Sequence, residues 1–182
     1  MIEKNLGTLV RQLREGRGLS LRSLAERSGF SGAFLSQVEN GQASPSISSM
    51  ERIASALGVT MGEFFRAAEK RDLPVVRASE RIGLSSGWSH AQIESLGASQ
   101  PGRKLEGVVI VIQPGGTSGK EAYPLSSEQI AVIFEGELEL TLGDEDHRLS
   151  RGDSATLRAG VPRRWRNVSD KPAQVMIVSE VN

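Results

Sequence analysis

Along the first third of the chain apolar residues recur at steps of three and four: Leu6, Leu9, Val10 and Leu13, then Leu21, Leu24 and Ala25, then Phe34, Leu35 and Val38. This is the period of helices that bury one face. Ile47, Met50, Ile53, Ala54 and Leu57 form a fourth stripe that Gly58 stops, and Thr60 with Glu63 makes a capping box opening a fifth helix at Met61. Loops are marked by Arg17-Gly18, Ser28-Gly29 and Gly41 to Ser46, each followed by a Ser able to accept the free N–H groups of the next helix. Residues 1–68 therefore read as a compact five-helix domain. A charged run from Glu69 to Asp72 and then Pro74 mark residues 69–80 as a linker.

From 81 to 182 the period changes to that of strands. Leu105 to Gln113, Gln129 to Phe134, Glu137 to Leu142 and Ala173 to Val181 are rich in Val, Ile and Leu, and Gly-containing turns punctuate them. Glu137, Glu139 and Thr141 alternate with Leu138, Leu140 and Leu142, the signature of a half-buried strand. Trp88, His90 and Gln92 read as another alternating strand. Several short strands at this spacing imply a sandwich or a small barrel, so the fold class is multidomain α plus β.

The 182 residues contain no Cys, which excludes disulfide scaffolds, Cys-ligated zinc, iron–sulfur clusters and thiol catalysis. The two His residues, His90 and His147, are too scattered for a His-rich metal site and read as surface or strand-edge groups. No stretch approaches the roughly 18 apolar residues of a membrane helix, and Met1 to Asn5 carries an acid where a signal peptide has an apolar run. A cytoplasmic location without membrane attachment is expected. Basic and acidic residues balance at 22 each, but the first 70 residues hold 9 basic against 7 acidic, so any polyanion-binding face belongs at that end.

A first helix with Leu24 and Ala25, a turn with Gly29, and a second helix burying Leu35 and Val38 have the spacing of a helix-turn-helix. The surrounding text, Leu13-Arg14-Glu15-Gly16-Arg17-Gly18-Leu19-Ser20-Leu21, Leu24 to Gly29, Phe34 to Gly41, Ser44-Pro45-Ser46 and Ile53 to Val59, resembles the Cro/CI-type (XRE) helix-turn-helix family over residues 5–66. The resemblance implies that the helix from Gly32 to Asn40 enters the major groove. Gly32, Ala33, Ser36 and Gln37 would face outward, Gln37 able to bond adenine bidentately and Ala33 to touch a thymine methyl. Ser31 reads as an N-cap with phosphate contact as an addition, and Arg22 and Asn40 as phosphate contacts. Arg11, Arg14, Arg17 and Arg27 read equally as phosphate contacts or as solvated surface charges. Phe34, Leu35 and Val38 read as core. Small Gly32 and Ala33 leave room for readout of DNA shape.

From Gly115 onward the chain resembles the cupin family, with Glu135-Gly136-Glu137-Leu138 and the stretch from Gly152-Asp153 through Gly160 and Pro162 to Asn167 carrying the match. The resemblance implies a double-stranded β-helix (jelly-roll) barrel. Metal-binding cupins carry two His one residue apart, a Glu and a third His; here those positions fall on Tyr123, Leu125, Gln129 and Arg163. Leu and Arg cannot complete a first-row metal site, and Glu128 alternates away from Gln129, so neither metal nor other cofactor is expected. Tyr123, Leu125, Gln129, Arg163 and, two residues on, Trp165 then line a barrel interior suited to a small acidic or amino-acid-like ligand, with Arg163 meeting its carboxylate or phosphate. The rivals for Arg163 are internal pairing with Glu121 or another acid, and a register that places it at the barrel mouth.

The order of the two domains resembles a common class of bacterial transcription regulators. It implies a non-enzymatic, homodimeric DNA-binding regulator, expected to be a repressor, that reads an inverted-repeat operator in double-stranded DNA and responds to a small metabolite. The alternatives are a metal-dependent cupin enzyme with a DNA-binding appendage, and a cupin that only dimerises the DNA-binding heads.

Overall fold

The computed structural model describes residues 6–68, 74–97 and 104–180. Five helices come first: α1 Leu6–Gly16, α2 Leu21–Ser28, α3 Gly32–Glu39, α4 Ile47–Ala56 and α5 Met61–Ala68. The caps predicted from sequence form. Ser20, Ser31 and Ser46 accept from Ser23 N, Phe34 N and Ser49 N, at 3.0, 3.1 and 3.1 Å. Thr60 and Glu63 close their reciprocal box, at 3.1 Å in each direction. Gly29 turns the chain between α2 and α3 at φ +69°, a left-handed conformation that suits glycine. Leu24, Leu35, Val38, Ile47, Met50 and Ile53 are all buried, so every amphipathic stripe read from sequence faces one core.

One arginine departs from the reading. Arg14 is neither a phosphate contact nor a solvated charge: it is buried, and its Nε and Nη2 donate to Glu39 Oε1 and Oε2 at 2.6 and 3.0 Å. Its Nη1 donates to Leu19 O at 2.8 Å, and Arg11 Nε reaches the same Glu39 at 3.2 Å. The pair ties α1 to the end of α3, the helix the resemblance assigns to the groove. Burial alone raises the Glu39 carboxyl, but Arg14 and Arg11 outweigh it, and the net shift is below the ordinary carboxylate range.

The expected linker falls partly on 69–73, outside the described residues, and Ala78–Glu80 within it forms a 3-10 turn. Nine strands follow: β1 Gly83–Ser86, β2 Ala91–Ser95, β3 Leu105–Ile112, β4 Gln129–Glu135, β5 Glu137–Leu142, β6 Glu145–Ser150, β7 Ser154–Leu157, β8 Arg163–Arg166 and β9 Ala173–Glu180. They form a six-stranded sheet, β1-β2-β3-β9-β4-β7, and a three-stranded sheet, β6-β5-β8, with antiparallel pairing throughout. Val108, Ile110, Ala131, Ile133, Val175 and Ile177 from the large sheet and Leu138, Leu140 and Trp165 from the small one are buried in the space between. Trp88 and His90 are not on a strand. They occupy the turn joining β1 to β2, where His90 has φ +50° and Trp88 is 57% exposed.

The head and the barrel dock closely. Ser48 N, in the first turn of α4, donates to Ser118 O at 2.9 Å, and Gly62 N, in the first turn of α5, donates to Glu106 Oε2 at 2.9 Å. Both are helix N–H groups without a partner inside their own helix. A Cβ on Gly119 would fall 1.9 Å from Ser48 Oγ, so only glycine permits this approach.

Removing one partner of the buried pair leaves an uncompensated charge, a loss of about 3–5 kcal/mol. Glu39→Ala is therefore expected to lower the unfolding free energy of the head by that order, measured by urea denaturation followed at the helical circular dichroism band. The depressed folded pKa means that the stabilisation is complete above the unfolded carboxylate range near about pH 4.3. It is lost as the pH falls through the folded value, and the variant should show a shallower acid dependence.

Candidate functional site

On the α3 surface, Ala33 and Gln37 are exposed and Gly32 and Ser36 partly so, while Leu35 and Val38 point into the core. Gln37 projects without a described hydrogen bond from its amide, as a base-reading side chain requires. Ser31 serves as the N-cap and is exposed at the start of the helix. Asn40 caps the other end; its Oδ1 accepts from Arg11 Nη2 at 2.8 Å and its Nδ2 donates to Ser36 Oγ at 3.4 Å. Arg22 is exposed and, among the described residues, paired with exposed Glu26 at 3.1 Å, a surface pair of little strength. Phe34 is half-buried rather than core: its ring stacks on Phe30 at 5.0 Å and faces a cleft toward the barrel that Trp88 and Tyr123 also line.

Inside the barrel the paired positions Glu106–Ser179–Gln129 run across β3, β9 and β4 as one row near the mouth, above the apolar rows Val108–Ile177–Ala131 and Ile110–Val175–Ile133. Arg163 arrives from β8 in the opposite sheet and is 5% exposed. Its Nη2 donates to Gln129 Oε1 at 2.7 Å, and Gln129 Nε2 donates on to Ser179 Oγ at 2.8 Å. Tyr123 bridges to Arg163 through the backbone, and its hydroxyl donates to Glu51 Oε2 at 2.6 Å. The other oxygen, Glu51 Oε1, lies 3.9 Å from Arg163 Nη2. Glu51 belongs to α4 of the head, so the acid that meets Arg163 comes from the other domain and is not Glu121.

Of the five residues predicted around the ligand, four gather at this mouth. Leu125 and Gln129 line a cavity of about 240 Å³ between barrel and head, whose other walls include Glu51, Thr60, Glu63, Glu106 and Ser179. Arg163 and Tyr123 are not on its wall and connect to it through their hydrogen bonds to Gln129 and Glu51. Trp165 is not a cavity wall: it is packed in the core at 2% exposure, opposite Leu140. Its Nε1–H nonetheless has no hydrogen-bond partner among the described residues, unusual for a buried indole.

Burial, reinforced by the charge and hydrogen bond of Glu51, holds the Tyr123 phenol well above its ordinary range. At neutral pH it is a hydrogen-bond donor. Burial also raises Glu106, with the charges of Glu63 and Glu51 adding to it and the Thr60 side chain and Gly62 N–H opposing it. Glu51, Glu106 and Ser179 escaped the sequence reading because their neighbours lie in distant segments. The local signal for Glu51 is faint: it stands four residues after Ile47 and three before Ala54, a carboxylate on the flank of an apolar stripe.

The positions where metal-binding cupins place their ligands do not fit a metal. Leu125 has no donor, Gln129 Oε1 is already committed to Arg163, and the Arg163 guanidinium would repel a cation. Among the described residues no group of three His, Cys, Asp or Glu could hold one. No helix among them is long and apolar enough to cross a membrane.

Comparison with known proteins agrees with this architecture. A helix-turn-helix domain family matches residues 5–67 and a cupin domain family residues 108–179. The chain is 31% identical over 163 residues to the HTH-type transcriptional regulator PuuR of Escherichia coli, covering 90% of this chain and 88% of the relative. The structure superposes on an HTH_3 family transcriptional regulator from Vibrio cholerae with TM-score 0.79 and 25% identity, over 100% of this chain and 98% of the other. It also shares its fold with hydroxypropylphosphonic acid epoxidase from S. wedmorenis, at TM-score 0.51 and 18% identity over 96% of each chain. With a five-helix head, a cupin barrel and a relative matched over nearly its whole length, the chain belongs to the family of HTH-type transcriptional regulators that carry a C-terminal cupin domain.

Proposed function

We propose that this chain is a non-enzymatic, homodimeric repressor whose α3 reads an inverted-repeat operator and whose metal-free barrel binds a small amino-acid-like effector. The carrying observation is the cavity of about 240 Å³ between barrel and head, one wall of which, Gln129, is hydrogen-bonded to the buried Arg163. The guanidinium has five N–H donors, and its described side-chain hydrogen bond is the one to Gln129 Oε1, which leaves donors free for an acceptor. A ligand carboxylate supplies one. Glu63 and Glu106 on the cavity wall suit an ammonium at the other end, which favours an amino-acid-like compound over a plain acid. The set Arg22, Ser31, Gly32, Ala33, Ser36, Gln37 and Asn40 forms the DNA-facing surface in this reading.

A second copy fits the outer face of the large sheet. Ile130 and Phe134 are each 56% exposed, and Val132 between them pairs with Met176, as Ile130 does with Val178. An apolar patch of this kind marks an interaction surface, and a two-fold dimer presents the two heads that an inverted repeat needs.

Genomic fragments captured by the purified protein at about 0.15 M salt, where unspecific polyanion binding fades, are expected to share an inverted repeat with half-site centres about one helical turn apart. Gln37→Ala should weaken that site by about 5- to 150-fold, the worth of one bidentate base contact. Absence of enrichment with and without an amino-acid panel would overturn the regulator reading. Phe134→Lys is expected to shift the sedimentation of the protein from dimer to monomer with its melting temperature little changed. A variant that stays dimeric would place the interface elsewhere.

A further inference from the structure

The effector reading leaves a carboxylate already standing where the ligand's would go. Glu51 lines the cavity, its side chain is 10% exposed, and its two oxygens address the two donors that an effector carboxylate would need, Tyr123 Oη at 2.6 Å and Arg163 Nη2 at 3.9 Å. The second of these is an ion pair without a hydrogen bond. A guanidinium prefers a carboxylate at about 2.7–2.9 Å through two parallel bonds, and Glu51, fixed to α4, does not reach that geometry. A free carboxylate is not so constrained.

The next residue shows where a displacement of Glu51 would be felt. Arg52 Nη2 donates to Ser28 O at 2.7 Å, and its guanidinium lies 4.1 Å from the centroid of the Phe30 ring. Ser28 and Phe30 flank Gly29, the turn between α2 and α3. Adjacent residues of one helix therefore hold the barrel's charge on one side and the helix-turn-helix corner on the other. The remaining ties across the seam, Ser48 N to Ser118 O and Gly62 N to Glu106, start from α4 and from the beginning of α5.

We infer that Glu51 is a built-in occupant of the effector's carboxylate position, so that an effector carboxylate at Arg163 and Tyr123 displaces it and releases the DNA-binding head from the barrel. The inference rests on the effector reading of the barrel. It requires the ligand to favour the released state, because a ligand shifts an equilibrium only by its differential affinity for the two states.

The test uses the full chain and acetate as the probe. Tyr123 is the only tyrosine in the sequence, so a chain labelled with 13C at the tyrosine ζ carbon gives one resonance, from the phenol that Glu51 engages. Acetate should shift that resonance, and Glu51→Gln, which removes the competitor, should tighten acetate binding about tenfold or more, since apparent affinity scales with the fraction of open site. Arg163→Gln should abolish the response. Saturating acetate and Glu51→Gln alike should accelerate amide exchange at Ser48 and Gly62. The acetate-induced exchange in the unaltered chain stands even if the variant folds poorly.

Equal acetate affinity in the unaltered chain and Glu51→Gln, with loss in Arg163→Gln, would overturn the competition while keeping the effector site. Acetate binding without faster exchange at Ser48 and Gly62 would overturn the release. No response of Glu51→Gln to acetate at any concentration the folded chain tolerates would overturn both the effector site and the inference built on it.

Discussion

A guanidinium inside a barrel destabilises the fold unless polar groups meet it, and the mouth of this barrel is arranged around that demand. Gln129 turns its carbonyl oxygen to Arg163 and passes its own N–H to Ser179, so the hydrogen bonds run from the small sheet across to the centre of the large one. Amide and hydroxyl carry no charge, however, and the negative charge comes from the other domain, in Glu51. The barrel's electrostatics are thus completed by the head. That pairing is one of the contacts through which α4 meets the barrel, beside those of α5.

The dependence runs the other way as well. Helices begin with N–H groups that their own backbone cannot satisfy, and those of α4 and α5 are met partly from the barrel, by Ser118 O and by the Glu106 carboxylate. A carboxylate at a helix N-terminus also complements the helix dipole. The contact between the domains combines these directional polar bonds with apolar walls such as Ala54, Met61, Val108 and Leu125 around the cavity, and Gly119 allows close approach.

How far the sequence revealed this follows from the range of each interaction. The helix stripes, the serine caps, Gly29 and the Thr60–Glu63 box are set by residues within one or two turns of each other, and they appear where the pattern places them. So does the alternation that buries Leu138 and Leu140 and that turns Gln129 inward and Glu128 outward. Arg14 was misread because its partner is 25 residues away, and an arginine on a short helix looks alike whether it faces water or a buried Glu39. Trp88 and His90 alternate like a strand, but the chain reverses there, and the left-handed His90 carries no glycine to announce it. Arg163 shows both sides of the matter. Its inward direction was legible from its place in the barrel, and its need for a partner from electrostatics. The partner itself, on a helix of the other domain, was not.

The substitutions at the barrel mouth also bear on what kind of ligand it can hold. Where metal-binding cupins gather imidazoles and a carboxylate, a cation presents positive charge to the substrate. Here Arg163 places a fixed positive charge in the same region with no ligand set to assemble, and Tyr123, its phenol kept protonated by burial and by Glu51, adds a neutral donor beside it. A guanidinium and a phenol can orient and recognise an anionic group, but neither offers the open coordination position through which a metal polarises or activates a substrate. In the proposed reading the chemistry of this mouth is recognition. Recognition becomes regulation when the recognised group competes with one that holds two domains together, and Glu51, adjacent in sequence to the arginine that grips the helix-turn-helix corner, is placed for that competition.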